Sequence, residues 1–369
     1  MIRRLLIQNG LAVSTVILYH ATAYGFIAMF WWTDRYRDVP VPNFDQLGSL
    51  TYYVLRGIEQ IVIYGIPSFM FVSGFFIAIA TQRDRQSIEW RIVFARIKYL
   101  VIPFLIWSAI ILILRWLQGE RFSPIQLFIT IITGRTTPAY YYVPLLVEML
   151  LLSPFLVPLA KRHPGWLLSA GIVLQVFTLL LRYPSIIGLK ISALEPFALL
   201  NRSWFFTIQF FWFIFGVVSG FHLQRIKPVL KRIRWIFVVM LVALFIIGIF
   251  EWEYLLKLSG RDWLDPRETL IDQIYAGFFI LTILSFEEIK IPFASQWSDL
   301  GTKSYGIYLS HSLALEYTAR LIYHVAPNLL AYQILFQPIL IIMGFGVPLT
   351  AMALLNKSPA RRYYKYLFG

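Results

Sequence analysis

The sequence predicts an all-α integral membrane protein, a bundle of about ten transmembrane helices with both termini in the cytoplasm. Hydrophobic residues make up 59% of the 369 residues, charged residues only 14%, and mean hydropathy is +0.68. Soluble domains average about 45–50% apolar and about 25% charged residues, so a soluble core of this composition would lack the polar surface to cover it. Long apolar runs separated by short basic stretches are typical of a positive-inside membrane protein.

About ten apolar stretches are long enough to cross the hydrocarbon, which takes about 20 helical residues. The N-terminal run exceeds a signal-peptide core and shows no small-residue cleavage site, so it is interpreted as a retained first helix. The predicted spans are 5–30, 52–80, 99–117, 139–159, 166–181, 204–223, 235–255, 270–286, 304–323 and 330–355. We interpret the shorter stretch 124–133 as an interfacial or re-entrant piece, and 83–98 as an amphipathic surface helix that runs into the third span.

The distribution of basic residues fixes the predicted orientation. With the N-terminus inside, alternate loops place about 20 of the 33 Lys and Arg residues in the cytoplasm and about 11 outside. An odd number of crossings would put the basic tail SPARRYYKYLFG outside, against the positive-inside rule. The net charge of +14 therefore predicts a protein of the cell membrane in contact with membrane lipid, and not a nucleic-acid partner. No segment resembles a linker, so residues 1–369 are predicted to form one transmembrane domain.

Several kinds of chemistry are excluded by composition and motif. The chain contains no Cys, which excludes disulfides, thiol nucleophiles and Cys-ligated metals. It has no phosphate-cradling glycine loop followed by Lys, no HExxH and no nucleophile elbow. We therefore expect neither an ATP-driven mechanism nor a bound metal or cofactor.

Ionisable side chains inside a span are the strongest functional signal in this sequence. An Asp, Lys or Arg at the bilayer centre costs about 2.5–3.5 kcal/mol, so such groups usually face a cavity or a partner. His20 lies about 22 Å along the first span, behind the apolar residues ILY. It is either a packing histidine bonded to a neighbouring carbonyl or a general base, since imidazole titrates near neutrality and accepts a hydroxyl proton.

Polar positions in two other spans offer partners for this histidine. Ser304, Tyr308 and His311 follow i, i+4, i+7 spacing and share one face of the ninth span, which suits either a polar seam between helices or a substrate site. Glu148 lies near mid-depth of the fourth span, at a depth similar to that of His20. A pair in which the carboxylate orients the imidazole is geometrically possible. A protonated glutamic acid bonded to a neighbouring helix is the alternative.

Charged residues also occur in two intrahelical pairs. Arg56 and Glu59 are three positions apart, and Glu316 and Arg320 are four positions apart. Both spacings suit ion pairs on one helix face, and that role alone would explain them.

Six segments follow one another in a characteristic order between residues 10 and 320. They read GLAVSTVILYHA, IPSFMFVSGFFIA, FARIKYLVIPFLIWSAI, AYYYVPLLVEMLLLSPFL, QFFWFIFGVVSGFHL and LGTKSYGIYLSHSLAL. Together with the predicted spans, this ordered set resembles the acyltransferase 3 family of membrane O-acyltransferases. The resemblance implies transfer of an acyl group, acetyl or succinyl, from acyl-CoA to a hydroxyl of a cell-surface or exported glycan or a lipid-linked sugar. It also implies that His20 corresponds to the essential histidine of the family's first helix.

The chain departs from the family pattern at two places. Family members commonly carry Arg or Lys eleven positions before that histidine, where this chain has Asn9, on the same helix face but without charge. The R-x-x-R pattern of the third helix is not intact, and the nearest basic residues are Arg91, Arg96 and Lys98. These departures resemble the branch that modifies exported polysaccharides, some of whose members are thought to succinylate.

The predicted orientation and the resemblance give one mechanism to test. Acyl-CoA is expected to approach from the cytoplasm, where Arg91, Arg96 and Lys98 would neutralise its phosphates. Ser73 and Tyr308 would bind the carbonyl or the sugar, although Ser73 beside Gly74 would equally allow close helix packing.

Two other functions fit some of these features. One is a transporter or flippase for a polysaccharide or lipid-linked sugar, although such proteins usually show internal repeats or broken helices and no convincing repeat is found. The other is a membrane acyltransferase of a different superfamily, which would also use an intramembrane histidine but would act on lipids or proteins.

Overall fold

Helices account for 85% of the computed structural model, which describes residues 2–30, 32, 48–81, 85–261, 264, 268–286 and 290–369. No strand occurs in these residues, and seven helical stretches among them are long and apolar enough to cross a membrane. The predicted all-helical membrane protein is therefore confirmed. The helices are α1 (Ile2–Phe30), α2 (Leu50–Val62), α3 (Gly65–Ala80), α4 (Trp90–Leu117), α5 (Pro124–Ile132), α6 (Tyr142–Arg162), α7 (Pro164–Ile186), α8 (Phe210–Ser259), α9 (Leu270–Ser285), α10 (Ala294–Val325), α11 (Gln333–Lys357) and α12 (Tyr364–Leu367).

The second predicted span is a broken helix. α2 ends at Val62 and α3 begins at Gly65, with a turn at Ile63 and Tyr64 between them. Pro67 explains the break, because proline has no N–H to donate to the carbonyl four residues earlier and its ring clashes with that carbonyl. Non-helical backbone at membrane depth is tolerated where it is buried in protein or lines a cavity. This break is therefore a place to look for a site.

The sixth and seventh predicted spans form one helix, α8, which folds back on itself. The indole of Trp212 donates to Gln273, and Phe237 packs against Phe278 with 6.0 Å between ring centroids. These two partners are about 8 Å apart along α9, whereas the α8 residues would be about 38 Å apart in a straight helix. Pro228, inside α8, lies where a sharp bend is expected. The expected break between the spans is thus a bend without a loop.

Other boundaries differ from the predictions in ways that composition explains. The predicted surface helix over 83–98 is not a separate element: α4 begins at Trp90 and continues through the third span, while 82–84 lie outside the described residues. The short apolar stretch forms α5, in which no residue is buried, as expected of an interfacial piece. α10 begins ten residues before the predicted ninth span, because its first turns are polar and carry no hydropathy signal.

Close helix contacts hold one end of the bundle together. Gly301 of α10 lies against Leu6 of α1 so closely that an added Cβ would be 1.8 Å from the Leu6 carbonyl oxygen. A Cβ at Gly74 of α3 would be 2.0 Å from the carbonyl oxygen of Phe213 in α8. Small residues that let backbones touch are the usual means by which membrane helices pack. α1, α3, α8 and α10 are therefore fixed relative to one another at this end.

Candidate active site

Towards the other end of the bundle the helices separate around a cavity of about 840 Å³. Its walls come from α1, the break between α2 and α3, the end of α4, the segment 133–141, the segment 201–209 and α10. The exposed residues Gln118, Glu120, Arg135 and Arg202 form its mouth, whereas Thr15 and Tyr308 are buried in its floor. A volume of this size suits a ligand larger than a single amino acid, since ligand pockets are typically about 300–1,000 Å³.

His20 lies in this cavity and is half-buried. It occupies the half of α1 nearer to Phe30, about 15 Å from that end of the helix. Its ring centroid is 5.3 Å from that of His311, with the two planes tilted by 41°. The structure thus places the first-helix histidine against a second histidine and leaves part of it facing the cavity.

His311 is fully buried, and a hydrogen bond within its own helix determines which ring nitrogen carries the hydrogen. Its Nδ1 is 2.7 Å from the carbonyl oxygen of Tyr308. A carbonyl only accepts, so Nδ1 carries the hydrogen, and Nε2 of the neutral ring is an acceptor. The hydroxyl of Ser312 is 3.4 Å from that Nε2. Of the three residues predicted to share this face, Ser304 does not line the cavity, whereas Tyr308 does.

Tyr308 joins the cavity floor to the segment 133–141. Its hydroxyl donates to the carbonyl of Ala139, and the hydroxyl of Tyr140 donates back to the carbonyl of Leu309. The segment is buried here at Thr136, Ala139 and Tyr140, so it enters the bundle before α6 begins. The phenol predicted to bind substrate therefore has its hydrogen committed to the backbone, and its ring forms part of the floor.

In the structure the carboxyl group of Glu148 is bonded to a neighbouring segment of the chain. Its Oε2 accepts a hydrogen bond of 2.7 Å from the backbone N–H of Phe206, at the start of a short 3-10 helix. It is not among the residues that line the cavity. α6 begins at Tyr142, after the buried segment, and Glu148 on that helix satisfies a helix N-terminus on the neighbouring chain segment.

Ser73 and Asn9 also lie outside the cavity lining. The hydroxyl of Ser73 is 3.4 Å from that of Tyr142, which makes it a polar contact between α3 and α6. Asn9 adjoins Gly10, at the point where α1 touches the backbone of α10, and its Oδ1 is buried without a partner in the described part of the chain. Neither residue contacts the site that it was predicted to serve.

The predicted basic cluster lies at the far end of α4 from the cavity. Arg91 and Lys98 are exposed, and Arg96 donates to the carbonyl of Phe76 at 3.3 Å. The cavity reaches α4 at Ile111, about 22 Å further along the helix. The cluster and His20 are thus on opposite sides of the packed region, and the cluster faces the surface.

The arginines at the cavity mouth were not predicted to belong to a site. Arg115 and Arg320 form ion pairs with Glu120 and Glu316, both at 2.6 Å, and the second pair confirms the i, i+4 prediction. The hydrogen bond from Arg115 lowers the pKa of the exposed Glu120 carboxyl, so this glutamate stays ionised at neutral pH. The signal that could have found Arg115 is its place on the predicted outer side, where the positive-inside rule disfavours arginine.

A buried ionic network lies directly behind the cavity wall. Arg56 pairs with Glu59, as predicted from their spacing, and its guanidinium lies 3.7 Å from the centroid of the Trp252 ring. Gln60 donates to Asp272 at 2.9 Å and so ties α2 to α9. Two buried charges in contact are structurally costly to separate, so this network fixes the α2 side of the site.

An all-helical membrane protein with a polar cavity and an intramembrane histidine pair has the architecture of a membrane-embedded enzyme. A model of the acyltransferase 3 family, described as an acyltransferase domain, matches residues 10–355, nearly the whole chain. The chain belongs to this family, as the ordered segments predicted, and is a membrane acyltransferase. No curated protein and no solved structure matches it. The alternative of a transporter receives no support from these findings.

Proposed function

We propose that this protein moves an acyl group, acetyl or succinyl, from acyl-CoA to a hydroxyl of a cell-surface or exported glycan, with His20 as the general base. The proposal rests on the family membership for acyl transfer and on the cavity for the acceptor and the base. A single domain in the cell membrane, with both termini cytoplasmic, would carry the whole reaction.

The observation that carries the glycan assignment is a set of unpaired polar atoms in residues of the cavity wall. Thr136 Oγ1, Thr137 Oγ1, Trp204 Nε1 and Gln209 Oε1 all belong to residues of its lining. Each atom is buried, and none has a hydrogen-bond partner among the described residues. Buried polar groups are normally paired, so these donors and acceptors are suited to a ligand rich in hydroxyls.

The chemistry would run through His20. Its imidazole takes the proton of the acceptor hydroxyl as the oxygen attacks the thioester carbonyl carbon. The new carbon–oxygen bond forms, the carbon–sulfur bond breaks, and the proton passes from the imidazolium to the departing thiolate. His311, with its Nδ1 hydrogen held by Tyr308, would orient His20 during both proton transfers.

The donor would reach the site from the cytoplasmic side. Ten passes are supported if the two arms of α8 are counted separately, together with α1, α2 with α3, α4, α6, α7, α9, α10 and α11. With the N-terminus inside, the mouth of the cavity faces outward and Arg91, Arg96 and Lys98 face the cytoplasm. The thioester would then have to pass the packed end to reach His20, while the glycan would enter through the mouth.

Acyl transfer is tested with the full-length protein in proteoliposomes. Radiolabelled acetyl-CoA or succinyl-CoA is supplied with envelope glycan, and acyl groups on the glycan are counted. We expect His20→Gln to lower transfer about 10²–10⁴-fold, the usual contribution of a general base. His163→Gln, a change at an exposed histidine outside the cavity, should leave it unaltered. Full activity of His20→Gln at normal protein level would refute the base assignment.

Mass spectrometry of envelope glycans, with and without the protein, separates this function from its rivals. A missing acyl mass on the glycan supports the proposal. Loss of surface glycan at unchanged acylation indicates transport, and an acyl group lost from lipid or protein indicates a different acceptor class.

A further inference from the structure

The lining of the cavity carries a net positive charge. Five arginines line it, against three glutamates. Four of them belong to about 11 basic residues predicted outside, where membrane proteins generally avoid arginine. The lining arginines are Arg115, Arg135, Arg182, Arg202 and Arg320, and the glutamates are Glu120, Glu268 and Glu316.

Three of these arginines are already engaged within the protein. Arg115 and Arg320 pair with glutamates, and the Nε of Arg182 donates to the Asn201 side chain at 3.1 Å. Arg135 and Arg202 differ, because in the described part of the chain neither side chain has a hydrogen bond or an ion pair, and both are exposed at the mouth. The excess of two positive charges therefore corresponds to these two side chains.

The backbone next to both arginines is fixed. Gly134 adopts φ +63°, and a Cβ there would be 2.5 Å from the carbonyl oxygen of Tyr140, so a tight turn that only glycine fits precedes Arg135. Arg202 follows a 3-10 helix whose last residue, Asn201, is held by Arg182. Both arginines therefore extend from backbone that is anchored to the rest of the protein.

We propose that Arg135 and Arg202 form an anion-recognition site, so that the acceptor glycan carries a negatively charged substituent. This inference rests on the proposed function and adds the class of acceptor. Arginine binds carboxylate, phosphate and sulfate through charge-assisted hydrogen bonds, often two at a time. The charge would lie at the mouth, on a part of the acceptor other than the hydroxyl that reacts on the floor.

The test compares two forms of one oligosaccharide, an oligogalacturonate and its neutral methyl ester. Binding of each to the purified full-length protein is measured by calorimetry. We expect the anionic form to bind about tenfold more tightly at about 0.05 M salt, equivalent to about 1.4 kcal/mol, with the ratio falling towards one at about 0.5 M salt. Equal binding of the two forms, or binding of neither, overturns the inference.

Variants assign the preference to the two side chains. Arg135→Gln/Arg202→Gln should bring the anionic-to-neutral ratio close to one, and Arg135→Lys/Arg202→Lys should retain most of it. Arg121→Gln, at an outer arginine that does not line the cavity, is the matched control and should keep the full ratio. A ratio that survives in the double Gln variant would assign the anion site elsewhere and overturn the inference.

Acyl transfer to the same two acceptors, with acetyl-CoA and succinyl-CoA, identifies the source of the charge. A preference for the anionic acceptor with both donors supports the inference. The alternative result is a preference for succinyl-CoA, with no preference between the two acceptors, that is lost in Arg135→Gln/Arg202→Gln. It would mean that the two arginines bind the acyl group, and it would overturn the inference. Charge-dependent binding without any acyl transfer would overturn the proposed function and leave the anion site intact.

Discussion

The two ends of the helix bundle are built from the same helices but in opposite ways. At the end that holds the start of α1, α1 packs on α10 and α3 on α8 with backbones in direct contact, through Gly301 and Gly74. Towards the other end, a cavity of about 840 Å³ that contains His20 opens beside α1 and α10, which stay in contact there through His20 and His311. The contrast shows how a chain with almost no soluble mass can hold a polar site. Close packing at one end fixes the helices that line the cavity at the other.

The comparison also explains the different burial of the two histidines. His311 lies inside the packed part, fully buried and bonded to its own helix, whereas His20 lies where the packing opens. A buried, hydrogen-bonded ring is held in one position, and a ring on a cavity wall is accessible to a ligand. Changes in the packed end should therefore affect stability, and changes around the cavity should affect activity.

The largest effect is expected at the packed end, from Gly301→Ala. Its Cβ would meet the Leu6 carbonyl oxygen at 1.8 Å, so α1 and α10 would have to move apart. Overpacking of this kind costs about 1–3 kcal/mol and occasionally more, and we expect the upper end of that range because the obstacle is backbone. Thermal unfolding in detergent measures it.

Gly346→Ala is the matched control for this change. Gly346 is also helical, but nothing lies within 4 Å of an added Cβ, so this variant should be as stable as the wild type or slightly more so. Equal melting temperatures for Gly301→Ala and Gly346→Ala would mean that the direct contact between α1 and α10 is not what holds this end together.

The next largest effect is expected at His311, which is buried in the packed part of the bundle and lies against His20. His311→Asn keeps an amide donor near the position of Nδ1 for the Tyr308 carbonyl but removes Nε2. We expect kcat to fall about 10–100-fold with little loss of stability, and the pH dependence of kcat/KM to shift, because His20 would lose its neighbour. In a His20→Gln background the same change should have almost no further effect, as for two residues that act as a unit. Additive losses would show that His311 acts only through packing.

The sequence predicted the packed end better than the cavity. Apolar spans and their order follow from composition and the positive-inside rule, and these identified the membrane class and the first-helix histidine. The depth match between His20 and Glu148 was misleading, because depth along a helix says nothing about which face it presents. Glu148 faces Phe206, and His311 is the residue that reaches His20.

Long-range geometry was the part that local patterns could not supply. The fold-back of α8 is visible only from its contacts with α9, and the cavity is assembled from segments far apart in the chain. The polar segment 133–141 was predicted to belong partly to a span, since Ala139 and Tyr140 read as its start. In the structure it is non-helical backbone that is buried at Thr136, Ala139 and Tyr140 and anchored by Tyr140 and Tyr308.

A smaller effect is expected from the free hydroxyls of the cavity. Thr136→Val and Thr137→Val remove buried oxygens that have no partner among the described residues, so stability should be unchanged or slightly higher. If these hydroxyls contact the acceptor, each change raises its KM about threefold to tenfold. Thr133→Val is the matched control: its hydroxyl also belongs to the lining but donates to the Ile129 carbonyl at 2.6 Å, so KM should change less. If Thr136→Val and Thr137→Val had the same KM for the acceptor as Thr133→Val, this would argue against acceptor binding at this wall.

The smallest effect is expected at the mouth, from Glu120→Gln. Glu120 is exposed and pairs with Arg115, and exposed ion pairs contribute about 0–1 kcal/mol, so stability should barely change. The mouth gains one net positive charge, however, so the preference for an anionic over a neutral oligosaccharide should rise about twofold to threefold at low salt.

Acidification gives an independent check of this last prediction. The hydrogen bond from Arg115 lowers the pKa of Glu120 below its ordinary value, so the carboxylate is present at neutral pH and is lost only as the pH falls through that lowered pKa. The difference in anion preference between the wild type and Glu120→Gln should then shrink, because the other lining glutamates are common to both proteins. The comparison requires a glycan whose own charge persists at that pH, so a sulfated oligosaccharide replaces the carboxylated one. A difference between wild type and variant that stayed constant with pH would show that Glu120 acts through its shape and not through its charge.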